Sequence, residues 1–463
     1  MTEPWRPADL NSESGALQKR VARGLTWTLI DTWGSQLVGL GVFVLLARLL
    51  LPVDFGLVAL AAVFVFFAQL LVDQGLGDAL IQRRTLTRSQ IDTAFWVALA
   101  TGALLTLAGL ILAGPIATLL NEPRLELILQ ILSITFVLAA LNSIQLALLR
   151  REMAFKSLAV RKLVTVAGAG AIGVAMALSG FGVWALVAQQ LANAAISVLM
   201  LWRVSPWRPG RQGSRAEFRG LFSFGIHVMA GDVLNYLSRN MDNLLIGIFL
   251  GTTPLGFYAV AYRVLDTSQT LLVNGARKLA FPVFSRLQHD PARMVRAFSR
   301  VQRAVSVMIL PGYIGLALVA EEAIVVIFGQ RWADSGPVAA VLYLVGPVLT
   351  IQLFSGAILN AVGHPEVTFR IRLVTSIVNV AGFLIAVAFF GTIIAVAAAF
   401  AVRAYIVMPL LVWWLRAYAG VPIRSHIADL RSAALATAVM AGAIVVVKLV
   451  LGASFSSALL LLA

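Results

Sequence analysis

Residues 55–61 read FGLVALA, and residues 255–261 read LGFYAVA. The match continues in register farther along, where three residues recur 200 positions later: Gln69, Leu71 and Gly75 become Gln269, Leu271 and Gly275. A repeat with constant spacing indicates that one supersecondary arrangement is used twice. We therefore expect the chain to consist of two structurally similar halves.

The composition places both halves in a membrane. The chain has 463 residues, of which 60% are hydrophobic and only 12% charged, and its mean hydropathy is +0.90. Soluble proteins carry about 25% charged residues, and they cannot hide this much apolar surface. The absence of cysteine excludes disulfides, thiolate catalysis, Cys-based zinc sites and iron–sulfur clusters. The four histidines are scattered, so we expect neither a metal site nor a catalytic cluster.

Thirteen apolar runs approach the roughly 20 residues that a membrane-spanning helix needs. Alternating ten-residue strands, which would indicate a barrel, are absent. The last apolar stretch, Phe455–Ala463, has nine residues and leaves a fourteenth span open. The predicted spans are 25–48, 55–80, 93–114, 125–149, 158–179, 182–202, 220–250, 255–283, 303–320, 337–361, 367–390, 392–415 and 432–451.

Basic residues predict the orientation of these spans. With a cytoplasmic N-terminus, 29 of the 36 Lys and Arg residues fall in or beside cytoplasmic loops. This asymmetry is the usual signature of membrane topology. It also explains most of the net charge of +15, so we expect no nucleic-acid partner.

Each predicted half contains six spans, an even number, so both halves have the same orientation. We predict an all-α polytopic protein with two six-helix bundles in parallel repeat around a central cavity, as in transporters. One or two further helices follow at the C-terminus. The predicted parts are a cytoplasmic N-terminal segment (1–24), an N-terminal half (25–204), a basic linker (205–219), a C-terminal half (220–416), and a linker with the C-terminal helix or helices (417–463).

Polar residues inside the seventh span form the main candidate site. Asp232, Asn235, Arg239 and Asp242 are spaced by three and four residues, so they share one helix face. An unpaired charge at membrane depth is costly and usually faces a polar cavity or pairs with another charge. We predict that this face lines the cavity, while buried salt bridges that lock helices together remain the alternative.

Four further residues belong to the predicted cavity lining. Arg263 and Asp266 lie on the eighth span, where their spacing also allows a local ion pair. Asp31 lies on the first span, and Asp73 lies near the cytoplasmic end of the second, where an interfacial position is the alternative. Arg403 lies inside the twelfth span.

Several stretches resemble one transporter family. They are ARLLLPVDFGL at 47–57, ALIQ at 79–82, DTAFW at 92–96, RNMDNLLIG at 239–247 and LGFYAVAYR at 255–263. Together they resemble the polysaccharide transporters of the multidrug/oligosaccharidyl-lipid/polysaccharide flippase superfamily, in the Wzx-type, colanic-acid-exporter-like branch. The resemblance extends over spans one to twelve.

This resemblance implies a non-enzymatic flippase in the bacterial inner membrane. Such proteins move undecaprenyl-diphosphate-linked oligosaccharide units from the cytoplasmic to the periplasmic leaflet for surface polysaccharide assembly. The implied partners are the lipid-linked oligosaccharide, the bilayer, and a polysaccharide polymerase and chain-length regulator, and we expect a monomer. No GxxxxGK[ST] motif is present, so we expect coupling to an H⁺ or Na⁺ gradient, with Asp residues as carriers and no other cofactor.

Two other functions remain open at this point. A drug/cation antiporter of the same fold needs an acidic site, and Arg239 and Arg263 argue against it. A membrane polysaccharide polymerase or ligase needs a sizeable external loop or an acid–base cluster, whereas the longest predicted outer loop covers only 321–336. Within the flippase reading, we expect Arg239 to bind the anionic headgroup, with Asp242 or Asp266 balancing its charge when substrate is absent.

Overall fold

The computed structural model describes residues 27, 30–73, 75–82, 86–210, 233, 236, 238–272, 284, 287 and 290–462. For residues 30, 73, 291 and 451–462 only the backbone is described. Within these residues the secondary structure is helical, without a strand. The all-α prediction is therefore confirmed.

Seven helices form the described N-terminal half. A π-helical turn over Ile30–Gly34 leads into the first of them. The helices are α1 (Ser35–Leu49), α2 (Pro52–Asp73), α3 (Leu76–Gln82), α4 (Arg88–Leu119), α5 (Arg124–Arg151), α6 (Phe155–Leu178) and α7 (Val183–Val204).

Nine helices follow. Residues 238–249 form α8, and the others are α9 (Thr252–Leu272), α10 (Pro291–Leu318), α11 (Ala320–Phe328), α12 (Ser335–Tyr343), α13 (Gly346–Ala361), α14 (Pro365–Ile385), α15 (Ile393–Ala419) and α16 (Ile423–Leu462). A 3₁₀ turn over Gln330–Trp332 precedes α12, and a π-helical turn over Ala386–Phe390 extends α14.

Ten of the described helices are long and apolar enough to cross a membrane. The pair α12 and α13 forms an eleventh candidate, bent by 51° at the break between them. A polytopic membrane protein is thus confirmed. The second predicted span is divided, since α2 ends at Asp73 and α3 begins at Leu76. Gly75, between them, has a φ of +64°, which favours glycine.

The helix α16 carries an ion pair toward each end. Asp429 Oδ1 lies 2.8 Å from Arg303 of α10, and Lys448 Nζ lies 2.7 Å from Glu322 of α11. Nineteen residues of helix separate Asp429 from Lys448, about 28 Å at 1.5 Å per residue. That length matches the hydrocarbon core of a bilayer, about 30 Å. The same helix continues through the predicted fourteenth stretch to Leu462 without a break.

Local sequence explains where several helices begin. Thr87 and Gln90 form a capping box at the start of α4, and Thr392 caps α15 through the backbone N–H of Ala395. Asp290 accepts a 2.9 Å hydrogen bond from the backbone of Arg293 and starts α10 twelve residues before the predicted start of that span at 303. Such caps satisfy backbone N–H groups that the helix itself leaves free.

The repeated stretches pack against each other. In α2, a Cβ placed on Gly56 would lie 1.7 Å from the carbonyl oxygen of Thr252, the first residue of α9. In α9, a Cβ on Gly256 would lie 1.9 Å from the carbonyl oxygen of Pro52, the first residue of α2. Residues 52 and 56 are each 200 positions from their counterparts. The contact between α2 and α9 is thus nearly symmetric and requires glycine on both sides.

Candidate functional site

Five of the eight predicted site residues have described side chains: Arg239, Asp242, Arg263, Asp266 and Asp31. Asp232 and Asn235 lie outside the described residues, and only the backbone of Asp73 is described. The described five do not meet at one point. Arg239 and Asp242 lie in the C-terminal half and Arg263 lies between the two halves. Asp31 lies in the N-terminal half.

Asp242 lies in the interior of the C-terminal half. Its side chain is 2% exposed. The Tyr258 hydroxyl donates a 2.8 Å hydrogen bond to Oδ2, and the Asn243 backbone N–H donates one of 2.8 Å to Oδ1. The Tyr258 ring stacks on Tyr262 at a centroid distance of 6.0 Å. These contacts fix the carboxylate through neutral donors.

Arg403 of α15 adds a positive charge near this carboxylate. It interacts electrostatically with Asp242 and Tyr262, although no ion pair within 4 Å joins it to Asp242, both being described residues. Its guanidinium carbon lies 4.5 Å from the centre of the Phe400 ring, and its buried Nε has no hydrogen-bond partner. The structure therefore places one carboxylate and one guanidinium close together but not in contact.

Arg239 lies one turn before Asp242 and is exposed to a pocket. It is also within hydrogen-bonding reach of the Tyr262 hydroxyl. The pocket has a volume of about 570 Å³. Its polar lining comes from α8, α13 and α14: Arg239, Gln352, Ser355, Asn360, Thr368, Arg372 and Thr375. Arg239 thus connects the buried Asp242 cluster to an accessible polar space.

Arg263 lies between the two halves. Its guanidinium carbon is 5.7 Å from the centre of the Phe43 ring of α1, and its Nε is buried without a hydrogen-bond partner. Nearby, the side-chain amide of Gln36 donates a 3.3 Å hydrogen bond to the Thr267 hydroxyl. Arg263 and Asp266 are both described, and no ion pair within 4 Å joins them. The local pairing that their spacing allows is not formed.

Asp31 lies in the N-terminal half, 3.8 Å from Lys162 of α6. The adjacent Arg161 donates a 2.9 Å hydrogen bond to the Ser197 hydroxyl. Arg161 lines a smaller pocket of about 260 Å³, whose polar lining is Gln69, Asp78, Asn142, Ser143, Arg150, Arg161 and Ser197. Asp31 therefore lies near two basic residues of α6, Arg161 and Lys162.

The halves are fastened together at the end that the sequence predicts to face outward. Arg48, at the end of α1, donates to the carbonyl oxygens of Ile327 at 2.9 Å and Val326 at 2.5 Å, at the end of α11. In return, the Trp332 indole donates to the Ala47 carbonyl at 2.8 Å, and Arg331 donates to Leu50 at 3.2 Å. Each half thus caps the carbonyl end of a helix from the other half.

Sequence reasoning missed three residues of these arrangements. Arg372 shares a helix face with Thr368 and Thr375, at spacings of four and three residues, and that pattern was available in the sequence. Tyr258 and Arg48 gave no comparable signal, because a tyrosine in an apolar helix and an arginine at a helix end are common. Their roles depend on partners from distant parts of the chain.

Comparison with known proteins gives a consistent result. A family model described as polysaccharide biosynthesis protein matches residues 45–337. The succinoglycan biosynthesis transport protein ExoT of Rhizobium meliloti (strain 1021) is 29% identical over 359 residues, 78% of this chain and 73% of that protein. The lipopolysaccharide biosynthesis protein WzxC of Escherichia coli (strain K12) is 26% identical over 77% of this chain and 73% of its own length.

Solved structures share the fold. The lipid II flippase MurJ in an inward closed conformation matches with a TM-score of 0.75 at 14% identity, over 94% of this chain and 99% of MurJ. An inward-facing multidrug resistance transporter of the MATE family matches with a TM-score of 0.62 at 15% identity, over 86% of this chain and 94% of its own. At these identities the likeness concerns the fold alone.

Proposed function

Because the chain belongs to the polysaccharide biosynthesis protein family, we propose that it is a flippase that moves a lipid-linked oligosaccharide from the cytoplasmic to the outer leaflet of a bacterial inner membrane. Its relatives include proteins named for transport in succinoglycan biosynthesis and, in Haloferax volcanii, a probable flippase of low-salt glycan biosynthesis. The carrier lipid is undecaprenyl diphosphate. The protein catalyses no covalent chemistry.

One observation carries this proposal: Arg239 is exposed to a polar pocket inside the C-terminal half instead of being held in an ion pair. A diphosphate and its sugars cannot enter hydrocarbon unaided, whereas a polyprenyl tail can stay in lipid. An arginine supplies charge-assisted hydrogen bonds to phosphate oxygens, and amides and hydroxyls suit sugars. An amphiphilic substrate with an anionic headgroup fits these features.

A drug/cation antiporter fits less well. Among the described residues that line the Arg239 pocket there is no carboxylate to receive a cation. The likeness to multidrug transporters concerns the fold, which hosts more than one substrate class. A polymerase or ligase is disfavoured by the short predicted outer loop over 321–336, which contributes helix α11 and the turn before α12.

The finer architecture is part of the proposal. It has thirteen spans with a fourteenth left open, arranged as two six-helix bundles over 25–204 and 220–416 and joined by the linker 205–219. The segments 1–24 and 417–463 flank them, and the N-terminus is cytoplasmic. The reciprocal contact of Gly56 and Gly256 supports two parallel halves, because a two-fold axis along the membrane normal relates equivalent residues in this way.

Transport is coupled to an H⁺ or Na⁺ gradient, with Asp242 as the carrier carboxylate. Its burial supports this role, because a buried carboxylate held by neutral donors gains most from taking up a cation or proton. The fastened outer end supports alternating access, in which the substrate enters from the cytoplasmic side. The protein acts as a monomer beside a polymerase and a chain-length regulator.

The test expresses the full chain in a strain that lacks its own polysaccharide flippase and accumulates lipid-linked repeat units. We expect surface polymer to be restored and lipid-linked repeat units to stop accumulating in the inner leaflet. The empty vector is the control. Accumulation that persists with the protein present in the membrane at normal abundance contradicts the proposal.

A further inference from the structure

Each half of the molecule contains a polar pocket at a corresponding place. In the N-terminal half the pocket is lined by α5, α6 and α7 with parts of α2 and α3, and in the C-terminal half by α13, α14 and α15 with α8. Each pocket includes an arginine from the first half of one of these helices, Arg161 in α6 and Arg372 in α14. The sequence topology places both pockets toward the cytoplasmic side.

The two pockets differ in charge. The N-terminal pocket holds Arg150 and Arg161, but Asp78 is also in its lining, and Arg161 donates to the Ser197 hydroxyl at 2.9 Å. The C-terminal pocket holds Arg239 and Arg372, and its described lining includes no Asp or Glu. Both of these arginines are exposed. Among the described lining residues, the C-terminal pocket thus has two positive charges and no negative one, whereas the N-terminal pocket has two positive charges and one negative one.

Among the described residues, neither Arg239 nor Arg372 has an acidic partner within 4 Å. Asp242 is 2% exposed and already accepts hydrogen bonds from Tyr258 and the Asn243 backbone. Arg403, which interacts electrostatically with Asp242, adds a further positive charge. Two guanidinium groups in a membrane pocket are unfavourable unless an anion joins them. The pocket is therefore suited to an anion.

The neutral lining and the size narrow the class of anion. Ser355, Thr368 and Thr375 supply hydroxyls, and the Thr368 hydroxyl donates 2.9 Å to the Asn360 side-chain oxygen. The N–H groups of that amide remain available as donors. The volume of about 570 Å³ lies in the ordinary range for ligand pockets, about 300–1,000 Å³. Two forked cations match the oxygens of a diphosphate, with adjoining polar groups for sugar hydroxyls.

We propose that the pocket between α13, α14 and α15 is a diphosphate site in which Arg372 acts together with Arg239. The corresponding pocket of the N-terminal half binds no diphosphate. This assignment rests on the proposed function, names Arg372 as a second binding residue, and makes the two halves unequal: the C-terminal half holds the headgroup.

Binding is measured on the full chain in phosphatidylcholine nanodiscs, with radiolabelled farnesyl diphosphate as the probe. We expect unlabelled inorganic diphosphate to compete, while farnesol does not. Arg372→Gln and Arg239→Gln should each weaken binding about 10-fold or more, as expected for loss of a charge-assisted contact. The double variant should lose less than the sum of the single losses, because both residues grip one group.

Arg370→Gln is the matched control. It removes the same charge from the same helix two residues away, and Arg370 is not in the pocket lining. It should bind the probe as the parent does. A second control, Arg161→Gln, tests the N-terminal pocket and should also leave binding unchanged.

Four results of the binding assay overturn the inference: parent-like binding by Arg372→Gln, equal weakening by Arg370→Gln, equal weakening by Arg161→Gln, or equal competition by phosphatidylglycerol at the same concentration. The last identifies an ordinary anionic-lipid site. Arg372→Lys, which keeps the charge, separates loss of binding from loss of folding. If Arg372→Gln loses probe binding but still exports polymer normally in cells, the inference is also overturned, whereas the proposed flippase function is not. Failure of the parent chain to restore export counts against the proposed function itself.

Discussion

Gly56 and Gly256 lie against opposite helices in the same way: a Cβ on either residue would overlap the carbonyl oxygen of the first residue of the other helix. Side chains are excluded from both positions, so the backbones of α2 and α9 approach directly. The contact lies at the end of the molecule where Arg48 and Trp332 also connect the halves. It therefore belongs to the contacts that join the halves at the end that the sequence predicts to face outward.

Alanine at position 56 should open this contact. Its Cβ would lie 1.7 Å from the Thr252 carbonyl oxygen, so the helices must separate. Overpacking of this kind costs about 1–3 kcal/mol, which shifts the closed-to-open ratio about 5- to 150-fold. The readout is labelling of Ala47→Cys, a buried outer position, by an impermeant maleimide.

The matched control for that prediction is Gly41→Ala. Gly41 lies in α1, and a Cβ there meets nothing within 4 Å. It should leave labelling of Ala47→Cys unchanged. Labelling that stays low in Gly56→Ala contradicts the tight contact.

Replacing Arg48 with glutamine should loosen the same end more mildly. The change removes the charge-assisted hydrogen bonds to Val326 and Ile327. These bonds are exposed, so we expect a loss of about 1 kcal/mol and a roughly fivefold rise in labelling of Ala47→Cys. Arg124→Gln, a charge removed from the exposed start of α5 at the same end, should give no rise. Equal labelling in both variants would show that Arg48 does not fasten the halves.

The sequence predicts the helices well because their apolar runs are long and the repeat keeps its register. It does not predict the break between α12 and α13, since apolar composition continues through it. A helix that bends inside an apolar run leaves no periodic signal. The break at Gly75 lies in the polar, glycine-containing stretch 73–78, and the predicted second span ran through that turn signal. The start of α10 at Pro291 was also missed, because polar residues extend that helix beyond the membrane.

The site was predictable only in part. The charges in the seventh span stood out because they are costly in lipid, and this led to Arg239 and Asp242. Their different surroundings were not predictable, since Asp242 is enclosed by Tyr258 whereas Arg239 faces residues of α13 and α14. Helix spacing gives a shared face but not the identity of the neighbouring helices.

Asp242→Asn should uncouple transport from the ion gradient. The amide oxygen can still accept the Tyr258 hydrogen bond, but the side chain can no longer hold a proton or balance a cation. In proteoliposomes we expect the stimulation of flipping by an imposed gradient to disappear while a basal rate remains. Glu366→Gln, at an exposed carboxylate of the same half, should retain the stimulation. Gradient stimulation that survives in Asp242→Asn assigns the carrier role to another residue.

The topology follows from the distribution of arginine and can be tested directly in this cysteine-free chain. Ala292→Cys, exposed at the start of α10, should react with an impermeant maleimide only after the membrane is permeabilised. Ser179→Cys, exposed at the end of α6, should react in spheroplasts, in which the inner membrane is intact. The charge rule predicts opposite sides for these two positions. The reverse labelling pattern would mean that the chain has the opposite orientation in the membrane, with both pockets toward the outer side.

Substitutions of Arg239 distinguish a role in substrate binding from a purely structural role. If it binds the headgroup, Arg239→Lys should keep partial export, because the charge remains but the fork that grips two phosphate oxygens is lost. Arg239→Ala should abolish export, with both proteins at normal abundance in the membrane. The assay is complementation of a flippase-null strain, with abundance followed by immunoblot, and Arg370→Ala is the control for loss of a nearby charge. Full export by Arg239→Ala removes the substrate role, because a headgroup contact of this kind is worth about 1.5–3 kcal/mol. Disappearance of Arg239→Ala from the membrane instead identifies Arg239 as a residue that stabilises α8 against α9, through its contact with Tyr262.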